Sequence, residues 1–290
     1  MKKIRNKAED SKLAFVFLAP SIIGFSIFYA IPFVGGLYYS LVSSSFDGDF
    51  VGLQNYIDLL RNPSFIKAAT NTAIFTCLSV PLNIILSLGL AILLNKKIYG
   101  KGVFRTLFIT PLVVPVASIV FVLQAIFDIN GTLNAVITAF GQNPVDWLKT
   151  DWAMGIIIIV YLWKNIGYSM VLFLAGLQNI PIDYYEAARI DGASVWKQFR
   201  HITMVYLTPT AFFVFIMSII NSFKVFREAY LISGDYPHSS IYMLQHYMNN
   251  MFAELDYQKL TSAAFIMAVF IVLIVLVLFI IERKITQRIN

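Results

Sequence analysis

Six apolar runs set the limits on what this chain can fold into. They fall at roughly residues 13–41, 67–95, 103–127, 153–178, 203–232 and 260–281, each close to or above the length that spans a lipid bilayer as a helix. Lipid offers no partner for free backbone groups, so such runs become helices. Of the 290 residues 58% are hydrophobic and only 13% charged, with a mean hydropathy of +0.73. A soluble domain carries about a quarter charged residues. The expected class is therefore an all-α membrane protein of six spans, a single membrane domain over 1–290. The first run follows a basic, polar stretch, "MKKIRNKAEDSK", with no small-residue cleavage site, and reads as an uncleaved helix rather than a signal peptide.

Charge orients the spans. Lys2, Lys3, Arg5, Lys7 and Lys12, then Lys96, Lys97, Lys101 and Arg105, then Arg189, Lys197 and Arg200, and finally Arg283, Lys284 and Arg288 fall on one side, fifteen basic residues in all. Only Arg61, Lys67, Lys149 and Lys259 fall on the other. The positive-inside rule then places both termini in the cytoplasm. The outer links carry the acids Asp47, Asp49, Asp58, Asp128, Asp146, Asp151, Asp235, Glu254 and Asp256. The net charge of +6 points to the inner leaflet rather than to nucleic acid. Residues 51–69 show helical amphipathic spacing and read as an interfacial helix, and "GTLNAVITAF" (131–140) as a second candidate.

Several chemistries lack their residues. There is no glycine-rich phosphate loop. His201, His238 and His246 have no metal-ligand spacing with one another or with Cys77, the single cysteine, which leaves no intrachain disulfide. The spans are almost free of catalytic groups, so the chain reads as non-catalytic, with neither metal nor cofactor of its own.

The link between the fourth and fifth runs is the most polar part of the second half. Pro181 stops the preceding helix. Asp183 and Glu186 are spaced as a capping box, which predicts a short helix over Tyr184–Ile190. Gly192 suits the left-handed residue that ends it, and Ser194 the cap of a second helix over Val195–His201. On spacing alone, Glu186 either caps its own helix or faces a partner, and the charges either bind something or meet water and headgroups.

"EAARIDGASVWKQFRHITMVYLTP" (186–209) closely resembles the signature of binding-protein-dependent ABC importer permeases. Glu186, Ala187, Ala188, Asp191, Gly192, Ala193, Phe199, Ile202 and Pro209 stand at the family's positions; Val205 departs, where the family usually has proline. Residues 50–76, 104–123, 172–193 and 223–237 are similar to the carbohydrate branch, most of all to its first permease subunit of the maltose and lactose type. "SGDYP" (233–237) departs from the usual Gly-Gly-Pro, so no contact is carried over there. The resemblance implies a type I importer permease fold in a bacterial cytoplasmic membrane. It implies a second homologous permease, two ATPase subunits that bind ATP and Mg, and an extracellular sugar-binding protein. The 179–202 link would be the coupling helix, docked in an ATPase cleft. Small Ala187 and Ala188 would allow close approach, Glu186 would meet a basic group, and the helices would move as levers.

Polar residues inside spans are expensive and mark candidate paths. Gln124, Asn165, Tyr168, Ser169 and Asn221 carry neutral hydrogen-bonding groups suited to a sugar, and Trp163 a ring face. Lys164, Lys224 and Arg227 read as pairing or gate charges, with Lys224 and Glu228 spaced as an i,i+4 pair. The alternative for each is a helix-joining role or contact with the second permease. The Pro111/Pro115 and Pro20/Pro32 pairs are candidate kinks. Two other functions remain open on the residues: an importer of another solute such as glycerol-3-phosphate, for which the three cations speak, and an ion-gradient transporter. The latter calls for intramembrane carboxylates or repeated halves. Glu228 is the one obvious carboxylate, and no repeat is visible.

Overall fold

The computed structural model describes residues 7–44, 48–96 and 98–286. Lys2, Lys3, Arg5, Asp47, Lys97 and Arg288, counted above, lie outside them. Six helical stretches among the described residues are long and apolar enough to cross a membrane. These residues form two compact units, one of residues 1–62 and 251–267, the other of 63–250 and 268–290.

In the first unit, α1 (Lys7–Phe25) passes through a π-helical turn (Ser26–Ala30) into α2 (Ile31–Ser40). Pro20 sits inside α1, and Pro32 stands just after the π turn, with helical residues on both sides. Proline cannot donate to the carbonyl one turn back, and the wider π turn is where the ladder is rearranged. The link after α2 is closed by an isolated antiparallel bridge between Val42 and Phe50. Next comes α3 (Gln54–Arg61), whose Asn55 Nδ2 donates to the carbonyls of Ser40 and Val42 at 3.0 and 2.8 Å. That amide meets the carbonyl at the end of α2, which has no partner within the helix, and a second one just beyond it. Phe33 packs on Phe265 and Tyr39 on Tyr257 within the same unit. The interfacial helix expected over 51–69 is thus shorter: it ends at Arg61, Asn62 is extended, and a new helix starts at Pro63. Proline is favoured in a first turn and disfavours α-conformation in the residue before it.

The second unit is built on three long helices. They are α4 (Pro63–Asn95), α8 (Trp152–Gln178) and α11 (Met204–Lys224), with α4 and α11 both packed on α8. Phe75 meets Tyr161 edge to face at 5.5 Å, and Met170, Phe173, Leu174 and Leu207 fill the centre of an apolar cluster. Between α4 and α8 run α5 (Lys101–Val113), α6 (Val116–Phe127) and α7 (Thr132–Ala139). The single third span expected over 103–127 is therefore two helices. Val114 is extended, and Pro115 caps α6 without an N–H to continue α5. α8 crosses α5 at Gly167, where an added Cβ would run into the carbonyl of Phe108. Only glycine lets the two backbones approach so closely.

The fourth link forms α9 (Ile182–Ile190) and α10 (Val195–Gln198). The fifth span, expected over 203–232, starts earlier. α10 runs through a π turn (Phe199–Thr203) straight into α11, so the second short helix is the beginning of the span rather than a separate element. Val205, lacking proline's block, leaves this entry helical. Val225 then breaks the span, and α12 (Phe226–Ser233) follows. α13 (Leu244–Ala253) precedes α14 (Tyr257–Thr286), which extends beyond the expected 260–281 at both ends.

Candidate functional site

Two places gather the residues picked out in the sequence. The first is the α9–α10 turn. Gly192 has φ +73°, the left-handed region, and its N–H donates to the Arg189 carbonyl at 3.0 Å while Ala193 N–H reaches Ala188 O at 2.8 Å. This pair of bonds is the Schellman ending of a helix, and glycine bears the positive φ without strain. Ser194 Oγ accepts from Lys197 N–H at 3.4 Å, a long cap, and Gln198 Nε2 donates to Ala193 O at 2.8 Å. Tyr185 OH and Thr203 Oγ1, 2.9 Å apart, tie α9 to the π turn.

The capping box does not form. Pro181 is the N-cap residue and Asp183 lies in the first turn, where its charge suits the helix dipole but its side chain caps nothing. Glu186 is exposed and has no hydrogen-bond or ion-pair partner among the described residues. Ala187, Asp191 and Gly192 are exposed too, Ala188 and Ala193 half-buried. Ile190, Val195 and Trp196 stand out from the turn at 87%, 83% and 67% exposure. Phe199 stacks on Trp196, while Ile202 turns inward against the cluster around Leu207.

The second place is a cavity of about 200 Å³ lined by Tyr161, Lys164, Asn165, Asn221, Lys224, Arg227 and Glu228, with apolar Leu112, Val160 and Val225 from α5, α8 and the α11–α12 break. Six residues singled out in the sequence meet here: Asn165 and Asn221 and, as charges, Lys164, Lys224, Arg227 and Glu228. Asn221 Nδ2 donates to Asn165 Oδ1 at 3.1 Å, and Asn165 Nδ2 to the Tyr161 carbonyl at 2.8 Å. Lys164 Nζ pairs with Glu228 Oε1 at 2.6 Å. The expected Lys224–Glu228 pair is absent among the described residues. Val225 interrupts the helix between them, so i,i+4 spacing no longer stacks the side chains.

The remaining candidates lie elsewhere. Ser169 is buried and accepts from Asn83 Nδ2 at 2.9 Å; the same amide reaches Ser218 Oγ at 2.9 Å. That knot joins α4, α8 and α11, which is the helix-joining alternative for Ser169. Tyr168 is half-buried and Trp163 exposed, neither lining the cavity. Gln124 lines a separate space of about 480 Å³ with Asp128, Asp146, Lys149, Tyr236 and His238. Asn83, Ser218 and Tyr161 were not singled out from the sequence. An asparagine inside an apolar run is the signal that could have pointed to Asn83; Tyr161, whose OH donates to Ser218 O at 2.7 Å, reads as one more aromatic.

Residues 83–290 match the model of the binding-protein-dependent transport system inner membrane component family. A trehalose/maltose transport system permease protein from Thermococcus litoralis is 34% identical over 80% of this chain and 80% of its own. A lactose transport system permease protein from Rhizobium radiobacter is 36% identical, covering 74% of each chain. An arabinooligosaccharides transport system permease protein from Bacillus subtilis is 33% identical over 75% of this chain and 71% of its own. The fold matches a solved bacterial ABC transporter chain with a TM-score of 0.82 at 23% identity, over 96% of this chain and 97% of that one. With its helical break at Gly192, its Glu-Ala-Ala turn and its six spans, this chain belongs to the family of binding-protein-dependent transport system inner membrane components.

Proposed function

We propose that this chain is one of two transmembrane subunits of an ATP-driven importer that moves a mono- or oligosaccharide from an extracellular binding protein into the cytoplasm. The observation that carries the reading is the kinship, at a third of positions over about three quarters of the chain, with permeases named for maltose, lactose and arabinooligosaccharide transport. The turn supplies the coupling. Glu186, with no partner among the described residues, is free to meet a basic group of an ATPase. Ala187, Ala188, Asp191, Gly192, Ala193 and Phe199 shape the approach, and exposed Ile190, Val195 and Trp196 provide apolar area to bury there. Ile202 anchors the docked piece to the body of the protein.

In this reading ATP and Mg stay with the ATPase pair, both termini face the cytoplasm, and a second permease completes the path. The Asn165–Asn221 amides offer the neutral donors and acceptors that hydroxyl groups need. Alternating access requires two states that the docked ATPase biases differently. Proteoliposomes holding the whole complex decide the matter. Saccharide uptake strictly dependent on ATP hydrolysis supports the reading, and uptake by this chain alone, driven by an ion gradient, overturns it.

A further inference from the structure

The charges around the 200 Å³ cavity do not balance. Lys164, Lys224 and Arg227 line it against a single carboxylate, Glu228. Lys164 already neutralises that carboxylate through Oε1. Lys224 and Arg227 then have no carboxylate partner among the described residues. Lys164 lies about 18 Å along α8 from its start at Trp152, deep within the span. Lys224 and Arg227, beside it at the α11–α12 joint, are exposed side chains, and cations within a span are costly unless something of opposite charge or a water-filled cavity receives them. A neutral cargo would offer them only dipoles.

A second observation concerns hydroxyl groups. Glu228 Oε2 is buried and accepts no hydrogen bond among the described residues, although Oε1 is engaged. Sealed from solvent, Oε2 is not itself a contact for cargo; beside it half-buried Asn221 gives an N–H to Asn165 and keeps its Oδ1 for an O–H from outside the chain. The cavity thus combines sites for sugar hydroxyls with two uncommitted cations, one of them a planar guanidinium whose fork matches a carboxylate.

We infer that the cavity selects an acidic saccharide, one bearing carboxylate groups on its rings. Ring hydroxyls are received by the Asn221 amide, and the carboxylate by Lys224 and Arg227. This deepens, and rests on, the reading of the chain as a carbohydrate-importer subunit.

The test uses cells with the intact transporter and a strain lacking this chain. Both are fed a mixed digest of neutral oligosaccharides from starch and arabinan and acidic ones from pectin and glucuronoxylan, with glycerol-3-phosphate added. Transporter-dependent depletion is read by mass spectrometry. Acidic oligosaccharides are expected to disappear. In Lys224→Gln/Arg227→Gln, at equal membrane abundance, their depletion falls at least about tenfold, the loss of one charge-assisted contact or more. In the charge-conserving Lys224→Arg/Arg227→Lys it stays within about threefold. Depletion of neutral oligosaccharides alone overturns the inference and leaves the importer reading standing. Equal loss in both double variants also overturns it, because the residues then act through packing. Depletion of glycerol-3-phosphate without any saccharide overturns the carbohydrate reading beneath it.

Discussion

Lys164 Nζ stands 2.6 Å from Glu228 Oε1, joining the middle of α8 to the first turn of α12. The two partners are unequally buried, at 23% and 4% side-chain exposure. Removing the lysine strands the deeper charge, whereas removing the carboxylate leaves a lysine with partial access to solvent. Breaking a buried pair costs about 3–5 kcal/mol. We expect Lys164→Met to lie near the lower end of that range and Glu228→Gln to be clearly milder. Thermal unfolding of the purified complex in detergent checks the order. A milder Lys164→Met contradicts the burial argument.

Gly167 faces the Phe108 carbonyl with no room for a methyl group. Gly167→Ala pushes α8 from α5 and should destabilise by about 1–3 kcal/mol, the range for overpacking, with Gly167→Val worse. Gly155, on the same helix, meets nothing within 4 Å, so Gly155→Ala serves as the control and should be neutral or slightly stabilising. Melting temperatures of the two alanine variants, compared directly, test the claim.

At the α9–α10 turn, Gly192 has open space around it and a positive φ. Gly192→Ala therefore meets strain rather than a clash, about 1 kcal/mol, while Gly192→Asn is tolerated better. Gly192→Pro is different: it demands a negative φ and removes the N–H given to Arg189 O. In the assembled complex we expect Gly192→Pro, and to a lesser degree Glu186→Ala, to keep ATP hydrolysis while losing substrate uptake. Hydrolysis and uptake measured on the same proteoliposomes give the coupling ratio. Full coupling in Gly192→Pro would count against docking at this turn.

His246, in α13, is fully buried, and burial lowers its pKa to about 4, with Asp235 opposing weakly. Its Nδ1 accepts the Met243 N–H at 3.2 Å, and its ring lies edge-on to Phe226 at 4.7 Å. The folded chain resists a proton that the unfolded chain takes up near pH 6.5. Stability is thus undiminished above about pH 6.5 and falls as the pH drops toward 4, by up to about 3 kcal/mol at the low end. Unfolding midpoints between pH 7.5 and 4.5 should fall more steeply in the parent than in His246→Gln. Parallel slopes would remove His246 as the cause.

Hydropathy was enough to count the spans, because lipid leaves the backbone no other choice. It was blind to where they break. Pro115 announced its break in the residues, yet Val114 is as apolar as its neighbours, so the run read as one helix. Val225 offers neither proline nor glycine as a signal, yet α11 ends there, and Glu228 pairs with Lys164 rather than Lys224. The Gly192 turn was legible because left-handed geometry has a residue preference. Glu186 was not, since Asp183–Glu186 spacing is ambiguous until Pro181 is seen to occupy the cap. Asn165 and Asn221 were picked for polarity and do meet. Ser169 was picked for the same reason but is spent on Asn83, a pairing between distant helices that no local pattern contains.

The uninterrupted passage from α10 through the π turn into α11 has a mechanical consequence. From Val195 to Lys224 the chain is helical throughout, a strut of about 45 Å. Its softer places are the five-residue π turn, braced by the Tyr185–Thr203 contact, and the turn before Pro209, which has no N–H to give. A displacement of exposed Trp196 is carried along this strut through those two places to the joint at Val225, in the wall of the charged cavity.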